Sequence, residues 1–240
     1  VKAVFLSDTH IKSSSEPQYG LLLDFLEHVK GCDRLFILGD FFEFWFCDSR
    51  SMFPEFRAVI DKLLDLKSSG TMISLFEGNH DFFLKDYFND RGPGSGIEIY
   101  PDWADITLDG RRLLLAHGDL VDTENRRYLF LRRLLRSRLF YGFQKMIPPR
   151  LRWKLAEISS NTSKGFPGPR EELARKMEGF GRAKLDEGYD AVILGHCHIP
   201  ILKRFPVEGR DRIFCTLGDW VTHFSYLSYD NGSFDLLRWK

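Results

Sequence analysis

No stretch of this 240-residue chain approaches the roughly 18 uninterrupted apolar residues that a membrane-spanning helix needs, which argues against a transmembrane protein. The opening Val1-Lys2-Ala3-Val4-Phe5 lacks a signal-peptide layout and reads directly as a strand. Cysteine is scarce: Cys32, Cys47, Cys197 and Cys215 are scattered without metal-finger spacing, so reduced thiols in a cytoplasmic protein are the expectation. No internal repeat is present, and an apolar share of 43% is enough for a packed core, which argues against disorder. One stretch lacks acid altogether. Between Glu124 and Glu157 there is no acidic residue, while Arg126, Arg127, Arg132, Arg133, Arg136, Arg138, Lys145, Arg150, Arg152 and Lys154 supply ten positive charges. Because the whole chain balances 34 basic against 34 acidic residues, this one segment holds all the positive excess and should face something anionic.

What the chain does have is a recurring pattern in which an apolar run stops at ligand-type residues. Leu75-Phe76-Glu77-Gly78 leads into Asn79-His80-Asp81, and Val4-Phe5-Leu6 into Asp8-Thr9-His10. Leu35 to Leu38 leads into Gly39-Asp40, Leu113-Leu114-Leu115 into His117-Gly118-Asp119, and Val192-Ile193-Leu194 into Gly195-His196-Cys197-His198.

Periodicity predicts strands at 2–7, 34–38 and 71–76, separated by helices at 18–30 and 52–69, hence parallel pairing with right-handed crossovers. Shorter strands follow at 97–100, 104–108 and 111–116 around the turn Asp109-Gly110. A basic helical region, broken at Pro148-Pro149 and over 165–169, precedes a helix at 170–187. Strands resume at 190–194, 201–205, 211–216, 225–229 and 233–238, the last two joined by Asn231-Gly232. The expected architecture is an α/β, sandwich-like single domain over residues 1–240 with one helical insertion. The aromatic run Phe41-Phe42-Glu43-Phe44-Trp45-Phe46 reads as packing beside the site, the alternative being a floor for a substrate's apolar part.

Any one of these clusters alone is a common strand-end turn, and a lone histidine is more often structural than a ligand. That reading does not produce five clusters in order, holding five of the chain's seven histidines. Of the other two, His28 reads as surface and His223 has no assigned role. Asp8 and His10 stand two apart, so in extended chain their side chains leave on one side, and His196 and His198 share that relation. Sites in open α/β sheets form at the carboxyl ends of strands, where all five clusters fall. Asp8, His10, Asp40, Asn79, His117, His196 and His198 make seven ligands, too many for one tetrahedral ion; two metals sharing a carboxylate fit better.

Spanning residues 8 to 198, this series resembles the signature of the calcineurin-like metallophosphoesterases. The resemblance implies a four-layer α/β/β/α sandwich and a dinuclear site. Asp8, His10, Asp40 and His198 would hold one ion, and Asp40, Asn79, His117 and His196 the other, with Asp40 bridging. It also implies a catalytic His80 near the scissile phosphate, oriented by Asp81. Two cations at such a site neutralise phosphoryl charge and bring the pKa of a water toward about 7, while His80 can stabilise or protonate the leaving oxygen. Ligands of these kinds admit Mn, Fe or Zn.

Within that superfamily, Leu38-Gly39-Asp40-Phe41-Phe42-Glu43-Phe44-Trp45, Asn79-His80-Asp81-Phe82 and His117-Gly118-Asp119 followed by Tyr128 are similar to the UDP-2,3-diacylglucosamine pyrophosphohydrolases of lipid A synthesis. Those enzymes release UMP and lipid X and carry a helical, basic lid between the fourth and fifth metal motifs, where this chain has residues 123–187. The likeness favours manganese and implies substrate contacts from Asn79, His80, Asn125, Tyr128 and Lys164. The chain departs from the best-known branch at His80, where that branch has Arg, and at Glu124-Asn125, where it has an acidic pair. Ser159-Ser160-Asn161-Thr162-Ser163-Lys164 matches its lid motif only loosely. A second branch of the same activity, or a phosphoesterase acting on another soluble or nucleic-acid diester, therefore stays open.

On a helical wheel Tyr128, Leu131, Leu134, Leu135 and Leu139 share one arc and Arg126, Arg132, Arg133 and Arg136 another, with Arg127 and Arg138 on the apolar side. Further on, Phe140, Tyr141, Phe143, Met146, Ile147, Leu151 and Trp153 alternate with lysine and arginine. This suits a monotopic helix at an anionic membrane surface, through residues 126–154 of a cytoplasmic protein peripheral to the inner membrane; the plainer alternative is a solvated basic face. Nucleic acid is not expected as a partner, because the charge is confined to one leucine-bearing insertion. A non-catalytic metal-binding scaffold would be expected to have lost ligands, and this chain keeps every one. The sequence leaves the oligomeric state open.

Overall fold

The computed structural model describes residues 1–45, 47, 52–88, 96–148, 151, 154, 170–207 and 209–239. The first half alternates strand and helix: β1 (Lys2–Leu6), α1 (Pro17–His28), β2 (Arg34–Leu38), α2 (Arg57–Ser68) and β3 (Met72–Phe76). After the short α3 (Lys85–Phe88) come β4 (Glu98–Tyr100), β5 (Trp103–Leu108) and β6 (Arg111–Ala116). The basic segment forms α4 (Arg126–Leu135) and α5 (Arg138–Met146). The chain ends with α6 (Arg170–Asp186), β7 (Ala191–Leu194), β8 (Pro200–Val207), β9 (Arg210–Leu217), β10 (Ser225–Asp230) and β11 (Ser233–Arg238).

Two sheets result, a six-stranded one in the order β11-β10-β1-β2-β3-β4 and a five-stranded one in the order β5-β6-β7-β9-β8. β1 to β4 run parallel, as do β6, β7 and β9, with antiparallel strands outside them. Both tight-turn signals mark real hairpins: Asp109-Gly110 joins β5 to β6, and Asn231-Gly232 joins β10 to β11.

Alternation along the strands makes the layers. On β1, Val4 and Leu6 face α1 and α2, together with Leu35, Ile37, Ile73 and Leu75. Ala3 and Phe5 point the other way, where with Phe36, Leu38 and Phe76 they meet Leu113, Leu115, Ile193 and Cys215 of the second sheet. The far face of that sheet, through Leu114, Val192, Leu194 and Phe214, packs on Ala174, Met177 and Leu185 of α6. The order is α/β/β/α, as expected.

Two elements differ from expectation for local reasons. α2 starts at Arg57, after a 3₁₀ turn at Pro54–Phe56, because proline fixes φ without an amide to bond and so sets the first turn. α3 is too short to leave a periodic signal; Leu84, Tyr87 and Phe88 are buried there. The aromatic run does pack: Phe41, Phe42, Phe44 and Trp45 are buried, with Phe42 4.5 Å and Trp45 6.0 Å from the ring of Phe56. Phe46, Pro149, Lys164, the Ser159–Lys164 stretch and the break at 165–169 lie outside the described residues.

Candidate metal centre

Asp8, His10, Asp40, Asn79, His117, His196 and His198 all stand just past the carboxyl ends of β1, β2, β3, β6 and β7. Backbone bonds knit these loops together across both sheets: Asp8 N donates to Gly39 O at 3.1 Å, His10 N to Asp40 O at 3.0 Å, and Gly195 N to His117 O at 2.8 Å. The side chains converge, but not because the chain is extended. Asp8, His10, Asp40, His196 and His198 have φ of 54°, 48°, 49°, 67° and 61°, so the left-handed region aims them. That conformation costs of order 1 kcal/mol or more per non-glycine residue, strain of the kind that gathers where function fixes geometry.

The two aspartates divide their oxygens in the same way. Asp8 Oδ2 accepts from His196 N at 3.0 Å, and its buried Oδ1 has no hydrogen-bond partner. Asp40 Oδ1 accepts from His80 N at 2.9 Å, while Oδ2 lies 3.8 Å from His10 Nε2 and 3.4 Å from His117 Nε2. One oxygen of each is held by backbone and the other faces imidazole.

Among the described residues three groups have ligand atoms within 4.8 Å of one another: Asp8/His10/His198, Asp40/His117/His196 and His10/Asp40/His80. Asn79 Oδ1 joins the second, 3.1 Å from His117 Nε2. Three of the imidazoles give Nδ1 to an acceptor: His10 to Glu43 Oε2 at 2.8 Å, His117 to Leu38 O at 2.8 Å and His198 to Asp219 Oδ2 at 3.2 Å. This selects the tautomer whose Nε2 lone pair faces the cluster, as metal-binding histidines require.

Charge points the same way. Burial disfavours an imidazolium at His117, yet the carboxylates of Asp40, Asp8 and Asp119 overcome it and push the ring up to about 10. Burial and the neighbouring His117 instead bring His196 down to about 4. Burial works against the Asp40 carboxylate too, but His117, His80 and His10 hold it well below its usual range. A pocket this short of positive charge, with orphaned ligand atoms at Asp8 Oδ1 and His10 Nε2, fits a pair of divalent cations.

Asp81 has a different place from the one expected. Its carboxylate does not hold the His80 ring, whose Nδ1 bonds Glu43 O at 3.0 Å. Instead Oδ1 accepts from Asp40 N and Gly78 N, both at 2.9 Å, and Oδ2 from Phe41 N at 2.7 Å and Phe42 N at 3.1 Å. Asp81 therefore shapes the loop that carries Asp40. Two glycines let the loops close: a Cβ on Gly78 would collide with the Asp40 carboxylate, and one on Gly39, at φ 82°, would lie 2.6 Å from the His117 ring.

Glu43 and Asp219 escaped sequence reasoning. Glu43 was hidden in the aromatic run, whereas Leu217-Gly218-Asp219 repeats the strand-end pattern of Leu38-Gly39-Asp40 and was there to be found.

α4 sits over this centre and docks through residues of both expected arcs, Tyr128 of the apolar one and Arg132 and Arg136 of the basic one. Tyr128 OH and Arg132 Nε both donate to buried Asp119 Oδ2 at 2.6 Å, and Arg132 also reaches Asp102 at 2.7 Å. Arg136 donates to Glu77 Oε2 at 3.1 Å, Pro101 O at 2.9 Å and Gly78 O at 2.8 Å. Tyr128, Arg132 and Arg136 thus form the docking stripe, one turn apart, and leave the apolar residues outside. Leu139 is 88% exposed, Met146 81%, Phe130 70% and Phe143 60%. Arg126, Arg127, Arg133 and Arg138 are exposed beside them. Asn125 caps α4, accepting from Tyr128 N at 3.2 Å, and the Tyr128 ring lies 6.3 Å from that of His196.

Residues 1–200 match the family model described as calcineurin-like phosphoesterase. Among curated proteins, a UDP-2,3-diacylglucosamine hydrolase of Stenotrophomonas maltophilia (strain K279a) is 32% identical, aligned over 97% of this chain and 96% of its own. One of the same name from Pseudomonas fluorescens (strain SBW25) is 30% identical over 97% of this chain and 93% of its own. Among solved structures, the phosphoesterase Yfce from E. coli aligns over 100% of both chains at 18% identity and a TM-score of 0.48.

Proposed function

Because the chain belongs to the calcineurin-like phosphoesterase family, we propose that it is a dinuclear metal-dependent hydrolase that cleaves the pyrophosphate of UDP-2,3-diacylglucosamine to UMP and lipid X. Asp8, His10, Asp40 and His198 would hold one ion, and Asp40, Asn79, His117 and His196 the other. The observation that carries the dinuclear reading is Asp40 Oδ2, one oxygen between His10 Nε2 at 3.8 Å and His117 Nε2 at 3.4 Å, each from a different cluster. This mixed carboxylate, amide and imidazole set admits Mn, Fe or Zn, and the likeness to the UDP-2,3-diacylglucosamine hydrolases favours Mn.

Two bound cations supply charge neutralisation at phosphorus and a water acidic enough to attack at neutral pH. The residues of the chain do the rest. Glu43, Leu38 O and Asp219 orient the imidazoles, and Asp81 fixes the Asp40 loop. His80, anchored at Nδ1, keeps Nε2 for the leaving oxygen and gives it a proton. Asn79, His80, Asn125, Tyr128, whose ring lies 6.3 Å from that of His196, and Lys164 are the substrate contacts of this reading.

The lid, residues 123–187, serves in this reading to bring the protein onto an anionic membrane and to receive acyl chains. Its support is the exposed surface of α4 and α5, apolar at Phe130, Leu134, Leu139, Phe143 and Met146 and basic at Arg126, Arg127, Arg133 and Arg138. Among the described residues no helix is long and apolar enough to cross a membrane. Reversing those four arginines to Glu is expected to weaken binding to anionic vesicles by about 1 kcal/mol per contact, on the order of 10²- to 10³-fold in all. Turnover of the lipid nucleotide in mixed micelles should fall with it, while a small soluble aryl phosphodiester is hydrolysed at the wild-type rate. Equal retention on both substrates would remove the lipid reading and leave a soluble diester. Arg132 and Arg136 are unsuitable for this test, since reversing them places like charge against Asp119 and Glu77.

A further inference from the structure

The two proposed metal positions are not backed alike. In Asp40/His117/His196, His117 Nδ1 faces the neutral carbonyl of Leu38 at 2.8 Å, and the ring nitrogens of His196 bond none of the described residues. In Asp8/His10/His198, both imidazoles lean on carboxylates: His10 on Glu43 Oε2 at 2.8 Å and His198 on Asp219 Oδ2 at 3.2 Å.

Asp219 is the more elaborately built of these supports. It is 1% exposed, and its second oxygen accepts from three successive amides, those of Val221 at 3.2 Å, Thr222 at 2.7 Å and His223 at 3.0 Å. His223 Nδ1 closes over the same oxygen at 3.4 Å. The next residue completes a clamp, because Trp220 N donates to Asp8 O at 3.0 Å. Trp220 is itself fully buried and pinned through Nε1 to Ser225 O at 2.9 Å. Gly218, at φ 78°, stands where a Cβ would strike Ser225 Oγ. One turn thus holds two members of one cluster, His198 by its ring and Asp8 by its backbone, and touches neither histidine of the other.

Resting on the dinuclear reading above, we propose that Asp219 is a positioning residue which, with Glu43, makes the Asp8/His10/His198 position the tighter of the two divalent-metal positions. A carboxylate that accepts Nδ1–H fixes the tautomer, as a carbonyl also does, but it adds a full negative charge behind the ring. The imidazole becomes a stronger electron-pair donor, and loss of such a partner lowers metal affinity by roughly 10- to 100-fold. Among the described residues the Asp8/His10/His198 position has two of these partners and the other position has none.

The test is calorimetric titration of metal-stripped protein with Mn²⁺. Wild type is expected to show two binding events of unequal affinity. Asp219→Asn keeps the size of the side chain and an oxygen for the three amides, but removes the charge and can present an NH₂ to Nδ1. The tighter event should weaken by about 10- to 100-fold with the looser one unchanged, and the melting temperature of the metal-free protein should stay near wild type. Glu43→Gln, acting on the other histidine of that position, should give the same selective loss by an independent route. His196→Ala should abolish only the looser event. Equal weakening of both events, no change in either, or loss of the tighter event in His196→Ala would overturn the proposal while leaving two metals in place. Fewer than two ions bound to wild type would overturn the dinuclear reading as well.

Discussion

Asp40→Ala is expected to bind neither ion with useful affinity and to hydrolyse phosphodiesters at least about 10⁴-fold more slowly than wild type. Each cation contributes several kcal/mol of charge stabilisation in the transition state, and each 1.36 kcal/mol is a factor of ten. Both depend on this one side chain. Its Oδ2 stands between His10 and His117, so deletion removes an anionic ligand from the two clusters at once. The loop should nevertheless keep its shape, because Asp81 goes on accepting from the amides of residues 40, 41, 42 and 78. The metal-free variant is therefore expected to melt near wild type, and the rise in melting temperature expected of wild type on loading with a divalent metal should be absent from it. Metal analysis after loading and gel filtration checks the count. A variant that retained one ion at wild-type affinity and turned over at a substantial rate would show that Asp40 is not shared.

His80→Ala is expected to retain two ions and lose roughly 10²- to 10⁴-fold in kcat, the scale of a removed proton-transfer group. The ring is only part-buried, so substrate can reach it, and Nδ1 is committed to Glu43 O at 3.0 Å. With the metals absent, burial opposes its charged form, but Asp40 and Glu43 outweigh burial and raise the pKa. A rival role is present in the geometry: His80 also groups with His10 and Asp40 within ligand reach. The two roles separate cleanly in a metal count made alongside kinetics. If an ion leaves with the imidazole, His80 is a ligand. If the ions stay and kcat falls with KM little changed, it acts on the reacting atoms.

Much of this architecture was legible because it rests on local rules. Alternation in Lys2–Leu6 separates Ala3 and Phe5 from Val4 and Leu6 and so places β1 between two layers. Asp109-Gly110 and Asn231-Gly232 admit little but tight hairpin turns. The seven ligand-type residues were legible too, though through their positions at strand ends and not through extended-chain alternation. Left-handed φ values do that work, and sequence shows them poorly outside glycine.

What was not legible depends on partners far away in the chain. A helical wheel sorts α4 into arcs but cannot say which arc meets the protein. The buried acids Asp119 and Glu77, on other loops, draw Arg132 and Arg136 inward and leave the leucines outside. Asp81 read as a partner of His80 because it is adjacent, while the four amides it accepts from come mostly from residues about forty positions earlier. Asp219 carries the strand-end pattern in plain view, but its pairing with His198, 21 positions earlier, does not show in the sequence.

The central claim is most directly tested by incubating the manganese-loaded protein with UDP-2,3-diacylglucosamine in mixed micelles and identifying the products by mass spectrometry. UMP and lipid X should appear in equal amounts, and a chelator should stop both. Intact lipid nucleotide, in a preparation that hydrolyses a soluble phosphodiester with the same metal, would contradict the account.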